Sequence, residues 1–283
     1  MDLIGRRARG LSLLALATIS VFNCAPQENP APTASEQQLI LARVRRESLR
    51  YQRELPNLIC TQLTTRSMDE SGTGKHWKQV DRLEVEDDYV GPFVNHKLLM
   101  MNSKAPRTNY QQLSGILSEP VLHSLGFLPR WIFGLQAKTH FEWQSWSTID
   151  GKKMQVFSVH LPMSDSQLTL TTDRQSVVAG VEGLIYVDAS TSLVRRFEIR
   201  MDLPAGSIIQ DGSVIIDYGS VSISQQQYLL PLKALVEARV GSSLRRNEIE
   251  VVRYQKYGAD TVVRFDEAAE DSLPKNDPPA RRD

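Results

Sequence analysis

The chain has 283 residues with 33 basic and 33 acidic side chains, so it is electrically neutral, and 41% of its residues are hydrophobic. A protein that binds nucleic acid through the phosphate backbone needs a concentrated basic surface, which this composition does not provide. The composition therefore argues against nucleic acid as a partner, and the chain is long enough to bury a core of its own.

The first 23 residues have the parts of a secretory signal peptide. A basic patch (Arg6, Arg7 and Arg9) precedes a twelve-residue apolar run, 11–22, which is too short to cross a bilayer as a helix. A buried N-terminal helix would explain neither the basic patch nor the proline-rich stretch that follows. We therefore expect residues 1–23 to direct export, to the periplasm or to an anchored position at the outer membrane.

Cys24 lies at the exit of this leader, and two interpretations of it stay open. As the acylated first residue of a lipoprotein it would anchor the protein to the membrane, and the proline-rich residues 24–34 would form an extended tether. Asn23 departs from the small residue expected before such a cysteine. The alternative is an incidental cysteine in a leader that is cut away.

Cys60 is the only other cysteine in the chain. It lies in an apolar strand pattern, LPNLICTQL, in which a reduced and buried thiol packs as a small hydrophobic side chain. Because Cys24 would be either removed or acylated, we expect no disulfide, and the fold must be held together by its own core.

The clearest helix is predicted to begin at Ser35, with Gln38 completing the cap, and to end at Pro56. One apolar stripe recurs at helical spacing along it: Leu41, Val44, Ser48, Tyr51 and Leu55.

From residue 58 onward, short stretches of apolar and polar alternation predict about ten strands in an antiparallel meander. Asp150-Gly151 predicts a two-residue hairpin turn. Trp143 and Trp146 are three positions apart in one predicted strand, so we expect one of them to face inward and the other outward. Three acidic residues that share one strand face predict a solvated surface: Glu84, Glu86 and Asp88. We expect one domain over 35–266 and a disordered tail over 267–283.

The segment 113–135 between two groups of strands is the most hydrophobic part of the chain beyond the leader. Its apolar residues recur at threes and fours and are interrupted at Pro120 and Pro129, which predicts short helices that cover the sheet. Its candidate ligand-binding residues are Leu117, Leu125, Phe127, Trp131 and Phe133. The other interpretation of the same side chains is ordinary core.

No motif for catalysis, metal binding or a cofactor emerges from the sequence. No two of the five histidines have the spacing of metal ligands on one element, and Gly-x-Ser-x-Gly and the glycine-rich phosphate loops are absent. We therefore predict a protein that is not an enzyme and that has no cofactor and no metal. A triad assembled from distant residues is recognised by geometry rather than by sequence, so a hydrolase stays a third interpretation.

Residues 180–257 carry a resemblance to a known family. A strand ends in Tyr186-Val187-Asp188, a Ser/Thr turn follows, and the next strand begins LVRR; later come DYGSV and a proline-bearing strand, YLLPLKA. This pattern resembles the lipoprotein-carrier-like superfamily of bacterial envelope proteins, which includes the periplasmic lipoprotein-sorting carrier and the sensor domain of an anti-sigma-factor regulator. The chain is also similar to a group of exported proteins from soil bacteria.

The resemblance implies a mainly β (α+β) fold: a strongly curved antiparallel sheet, or unclosed barrel, with an N-terminal helix and a central helical insert covering the concave face. It also implies that the concave face binds acyl chains or apolar peptide segments. We therefore predict non-catalytic binding of a lipid, an acyl chain or a lipoprotein segment. The alternative is a structural or protein-interaction module of the envelope with a permanently filled core, whose protein partner the sequence does not name.

Overall fold

A computed structural model describes residues 30–90, 93–113, 132–134, 138–166, 168–171 and 176–257. Within these residues one α-helix, α1 (Ala34–Glu54), is followed by β-strands and by two 3-10 helices, at Tyr110–Gln112 and Met163–Asp165. The strands are β1 (Leu58–Asp69), β2 (Lys78–Val90), β3 (Phe93–Met101), β4 (His140–Ile149), β5 (Lys152–Leu161), β6 (Thr169–Thr171), β7 (Ser176–Val178), β8 (Gly180–Asp188), β9 (Val194–Asp202), β10 (Ile209–Ile223), β11 (Gln226–Val240) and β12 (Ser243–Lys256).

The helix begins slightly earlier than predicted. Thr33, not Ser35, is the N-cap residue: its hydroxyl accepts from the backbone N–H of Glu36, and the Glu36 carboxylate accepts from the backbone N–H of Thr33. The predicted stripe is confirmed, since Val44 and Ser48 are buried and the Tyr51 hydroxyl donates to the carbonyl of Leu229. Among the helices that the structure describes, none is long and apolar enough to cross a bilayer.

Ten of the strands form one antiparallel sheet in the order β3-β2-β1-β12-β11-β10-β9-β8-β5-β4, and β6 pairs with β7 in a small second sheet. The predicted fold class is confirmed. All neighbouring strands of the sheet pair in the antiparallel sense, most of them with the next strand along the chain, and the sheet is not closed into a barrel. Strands β3 and β4 are its two edges. The connection between these consecutive strands therefore joins opposite edges of the sheet. Most of the predicted central insert, residues 114–131 and 135, lies outside the described residues.

One side of this sheet, which we call the inner face, carries a continuous core. Alternation places Cys60 of β1, Val85 of β2 and Leu98 of β3 on it, and the same cluster continues through β12 to β8 and on to Phe157 of β5. Val44 of α1 belongs to this cluster as well.

The opposite side, the outer face, carries cross-strand ion pairs. Several of them join neighbouring strands, among them Arg196 with Asp217, Arg246 with Glu237, Lys233 with Glu250, and Lys97 with Glu86. The predicted solvated face of β2 is confirmed, since Glu84, Glu86 and Asp88 are only partly buried. Such pairs keep this side of the sheet solvated and add little to stability individually.

The predicted hairpin between β4 and β5 is also confirmed. Asp150 and Gly151 form its turn with φ values of 48° and 73°. These left-handed conformations suit Asp-Gly in a two-residue turn, whose twist matches that of the flanking strands.

Candidate functional site on the inner face

Five aromatic side chains form a group at the β4 edge of the inner face, which we call the aromatic cluster: Phe133, Phe141, Trp143, Trp146 and Phe157. The rings of Phe133 and Phe141 are stacked, with centroids 5.5 Å apart. Trp143 meets both Phe157, at 5.4 Å, and Trp146, at 5.0 Å, in edge-on arrangements. Phe133 and Phe157 are fully buried, whereas the other three side chains are partly exposed. An apolar surface at the open edge of the sheet thus stays accessible.

A β-bulge brings the two tryptophans together. Trp143 lies opposite Phe157 and Trp146 lies opposite Gln155, and the register shifts between Trp143 and Ser145. Because Phe157 and Gln155 are two positions apart on β5, both tryptophans lie on the same face. The prediction that one would face inward and the other outward was therefore wrong, since simple alternation does not account for the extra residue of a bulge.

Of the predicted ligand-binding residues, the structure describes Phe133. It is 1% exposed, and the adjacent Ile132 is completely buried. The carbonyl of Ile132 accepts a hydrogen bond from Thr139 Oγ1 at 2.8 Å, which ties this short segment to the start of β4. The other predicted site residues lie outside the described residues: Cys24, Leu117, Leu125, Phe127 and Trp131.

Polar side chains form a second group on the inner face, which we call the polar strip: Gln62, Thr64 and Arg66 of β1, Asp81 of β2 and Asn247 of β12. Arg66 lies opposite both Asp81 and Asn247, and its Nε donates to Asp81 Oδ1 at 2.6 Å. Gln62 Nε2 donates to Thr64 Oγ1 at 2.8 Å. All five side chains are at least nine-tenths buried. Buried polar groups of this kind are unfavourable unless they are hydrogen-bonded.

A third group, Cys60, Asp87 and His96, occupies directly opposed positions on β1, β2 and β3. Asp87 Oδ1 lies 2.7 Å from His96 Nδ1, and the His96 ring packs against Tyr110 with centroids 4.9 Å apart. The burial of Cys60, together with the carboxylates of Asp87 and Asp88, raises the pKa of its thiol. A cysteine nucleophile needs a base beside its sulfur and a lowered pKa, whereas here the carboxylate separates the thiol from the imidazole.

Sequence reasoning missed these inward-facing polar residues. It found no metal-ligand spacing for His96 and assigned no role to Asp87, which alternation leaves on the face opposite Glu84, Glu86 and Asp88. The available signal was the alternation Asp81, Leu83, Val85, Asp87, which places both aspartates on the apolar side of β2. Within the residues that the structure describes, no group of three or more histidine, cysteine or acidic side chains is arranged to hold a metal ion.

Comparisons with known proteins give structural neighbours. No family model matches the chain, and no curated protein matches it. The structure is similar to an outer membrane lipoprotein-sorting protein domain from Vibrio parahaemolyticus, with a TM-score of 0.36 and 8% identity over 77% of this chain and 92% of that one. It is similar to a DUF1329 family protein from Desulfovibrio piger, with a TM-score of 0.40 and 7% identity over 77% and 94% of the two chains.

A further neighbour is the lipoprotein LppX from Mycobacterium tuberculosis, with a TM-score of 0.30 and 14% identity over 75% of this chain and 94% of that one. The likeness is one of fold.

Proposed function

We propose that this chain is a non-catalytic protein of the cell envelope that binds a hydrophobic ligand (a lipid, an acyl chain or a lipoprotein segment) on the inner face of its open sheet. The aromatic cluster carries the proposal. Phe141, Trp143 and Trp146 are partly exposed, yet they continue the buried surface formed by Phe157 and its neighbours. An apolar ligand laid over these rings would remove their exposed area from water, which is favourable by about 25 cal/mol per Å².

The position of the cluster also supports the proposal. It lies beside β4, an edge of the sheet, so a ligand would reach it without breaking strand pairs. A long apolar chain forms no directional hydrogen bonds, so it can bind to the continuous apolar surface that the edge-on and stacked rings provide. Lys153 Nζ lies 3.7 Å from the centroid of the Trp146 ring, so the cluster ends at a cationic, solvent-facing rim.

Phe133 and the residues before it extend this proposed site. Phe133 is in contact with Phe141 and is buried on the inner face. We propose that Leu117, Leu125, Phe127 and Trp131, from the same hydrophobic segment of the sequence, contribute to the ligand-binding surface with it.

Export and anchoring complete the proposal. Residues 1–23 act as a signal peptide, Cys24 is acylated, and 24–34 tether a single domain, 35–266, that ends in a disordered tail, 267–283. The protein then lies in the periplasm or at the outer membrane. Replacing Cys24 with Ser tests the anchor. We expect the lipid mass to disappear from the N-terminal peptide and the protein to leave the membrane fraction, and an unchanged N-terminal mass would contradict acylation.

A permanently filled core is the second candidate, and one observation favours it. Ile132, Phe133 and Tyr110 are each at most 2% exposed and belong to the same core cluster as the inner face. A protein whose inner face is closed by its own chain would act as a structural or protein-interaction module of the envelope and would carry no lipid.

Native mass spectrometry of protein purified from its cells, followed by lipid extraction, separates the two candidates. We expect a bound species that is released by organic solvent and contains an acyl chain. Trp143→Arg places a charge in the aromatic cluster and should abolish co-purification. Glu142→Arg adds the same side chain at an exposed position of the same strand and should leave it intact. Native protein that carries no lipid would overturn the binding proposal in favour of the filled core.

A further inference from the structure

The polar strip interrupts an otherwise apolar inner face, where burial of polar side chains is energetically unfavourable unless they are hydrogen-bonded. Gln62 and Thr64 lie opposite Val251 and Ile249 of β12 on one side and opposite apolar residues of β2 on the other. These apolar neighbours offer no side-chain hydrogen-bond partner to Gln62 or Thr64. The five side chains of the strip are nonetheless 1% to 8% exposed. They are therefore buried polar groups on the same face that we propose as the ligand site.

Two atoms of the strip have no hydrogen-bond partner among the described residues: the acceptor Gln62 Oε1 and the donor Asn247 Nδ2. Gln62 already uses its amide nitrogen on Thr64, which leaves its carbonyl oxygen directed away from that bond. Gln62 is 1% exposed and Asn247 is 3% exposed, so bulk water does not reach either group. A buried acceptor and a buried donor without partners are unfavourable and call for a bound molecule with the complementary groups.

The charge of the strip indicates which kind of group this is. Arg66 forms a buried ion pair with Asp81, so the two opposite charges are matched within the strip. Gln62, Thr64 and Asn247 are neutral. A neutral head group therefore suits the strip better than an anionic one, because an added buried charge would lack a counter-charge in the strip. Arg245, two positions from Asn247 on β12 and therefore on the same face, is a cation that would favour an anion instead.

We infer that the ligand is an acyl lipid with a neutral head group that carries both a hydrogen-bond donor and a carbonyl acceptor. This inference rests on the proposed function. A hydroxyl or amide N–H of the head donates to Gln62 Oε1, and an ester or amide carbonyl accepts from Asn247 Nδ2. The acyl chain runs from the strip across the inner face in the direction of the aromatic cluster, whose strand β4 is six places from β12 in the sheet.

Three probes with the same acyl chain test this inference on delipidated protein, by displacement of a fluorescent fatty acyl probe. Monoolein offers hydroxyl donors and an ester carbonyl, methyl oleate offers the carbonyl without a donor, and oleate offers a carboxylate. We expect monoolein to bind about fivefold more tightly than methyl oleate, the effect of one hydrogen bond between neutral groups, and to bind more tightly than oleate.

Two variants assign the contacts separately. Gln62→Leu should remove the preference for monoolein over methyl oleate while leaving the affinity for methyl oleate unchanged. Asn247→Leu should weaken both esters about fivefold and keep the preference. Gln210→Leu, at an exposed position of β10, is the matched control and should change neither value. Thermal melts establish that each variant is folded, and the comparison of probes on the unaltered protein needs no variant.

The outcomes separate this inference from the proposed function. If no probe binds, the proposed function itself fails. If all three probes bind with equal affinity, the function stands and the head-group inference is wrong, since ordered water then satisfies Gln62 and Asn247. Tighter binding of oleate than of monoolein would replace the neutral head with an anionic one and would also overturn the inference.

Discussion

Cys60 and Asp87 lie directly opposite each other on β1 and β2, with both side chains completely buried on the inner face. Removal from water and the nearby carboxylate both disfavour the thiolate, so the pKa of Cys60 is raised. The side chain therefore behaves as a small apolar group rather than as a nucleophile, and the sequence-based prediction of a buried, reduced thiol at this position is confirmed.

The first prediction concerns thiol reactivity. In a Cys24→Ser background, Cys60 should react with Ellman's reagent at neutral pH orders of magnitude more slowly in the folded protein than in guanidinium chloride, because the thiolate is both rare and inaccessible. The change in absorbance at 412 nm measures both rates. Folded protein that reacts as fast as unfolded protein would show that the inner face at Cys60 is open to solvent.

The second prediction concerns acid stability and Asp69, at the end of β1. Its carboxylate accepts hydrogen bonds from the Ser71 hydroxyl at 2.5 Å and from backbone N–H groups that include Gly74 at 2.7 Å and Lys75 at 3.1 Å. These bonds, the Ser71 hydroxyl foremost, lower the pKa of Asp69 below its usual range. Because the pKa is lower in the folded state than in the unfolded state, the ionised carboxylate stabilises the fold at pH values above the unfolded-state pKa of about 4. This stabilisation is lost progressively as the pH falls below that value and the carboxylate is protonated.

Asp69→Asn should therefore lower the midpoint of urea unfolding at pH 7 and flatten the fall in stability between pH 5 and pH 2. Asp150→Asn is the matched control. It makes the same change at an exposed turn position where asparagine also tolerates a positive φ, and it should leave the curve unchanged. Parallel pH curves for the unaltered protein and Asp69→Asn would show that these hydrogen bonds do not hold the loop.

The third prediction uses two glycines of the same loop. Gly72 and Gly74 have φ values of 65° and 74°, so alanine at either position is strained by about 1–2 kcal/mol. A Cβ at Gly72 would lie 2.3 Å from the carbonyl oxygen of Ser242, whereas a Cβ at Gly74 would meet its nearest atom at 3.7 Å.

Gly72→Ala should therefore reduce the free energy of unfolding by at least twice as much as Gly74→Ala. Denaturant titrations of the two variants side by side measure the difference, since the strained backbone is common to both and cancels. Equal losses would show that the β11–β12 turn moves freely away from the loop.

The fourth prediction concerns Phe133, which is buried against Phe141. Phe133→Ala should reduce the free energy of unfolding by about 3–5 kcal/mol, the cost of removing a fully buried aromatic ring. Leu39→Ala, on an exposed part of α1, is the control and should change it by no more than about 0.5 kcal/mol. A loss at Phe133 as small as that at Leu39 would mean that this segment does not pack stably on the inner face.

The sequence was sufficient to predict those structural elements whose conformation depends on residues close together in the chain. The stripe of α1 through Val44 and Ser48 follows from helical spacing, and the β4–β5 turn follows from the backbone freedom of Asp150-Gly151. The antiparallel meander followed because alternation and turn spacing recur along the chain, whereas the open sheet followed from the family resemblance. For the helix, the turn and the meander, the decisive interactions lie within a few residues of one another.

The interior of the candidate site depends on pairing between distant strands, which local patterns do not encode. The polar strip forms only because β1 pairs with β12, so that Arg66 lies opposite Asn247. The aromatic cluster forms because a bulge rotates Trp146 onto the face of Trp143. Alternation alone separates Asp87 from the solvated face of β2, but it does not show that His96 and Cys60 lie beside Asp87, because that depends on the pairing of β2 with β3 and β1.

Quenching of single tryptophans by a brominated acyl lipid tests the central claim most directly. Two variants keep either Trp143 or Trp77 alone, with the other tryptophans replaced by phenylalanine. Trp77 lies away from the inner face, with its ring 4.0 Å from the guanidinium of Arg246 and its indole N–H donating to the carbonyl of Gly74 at 2.9 Å. We predict saturable quenching of Trp143 by about one equivalent of lipid and no quenching of Trp77. An unquenched Trp143, or equal quenching of the two, would contradict the binding of an acyl chain on the inner face.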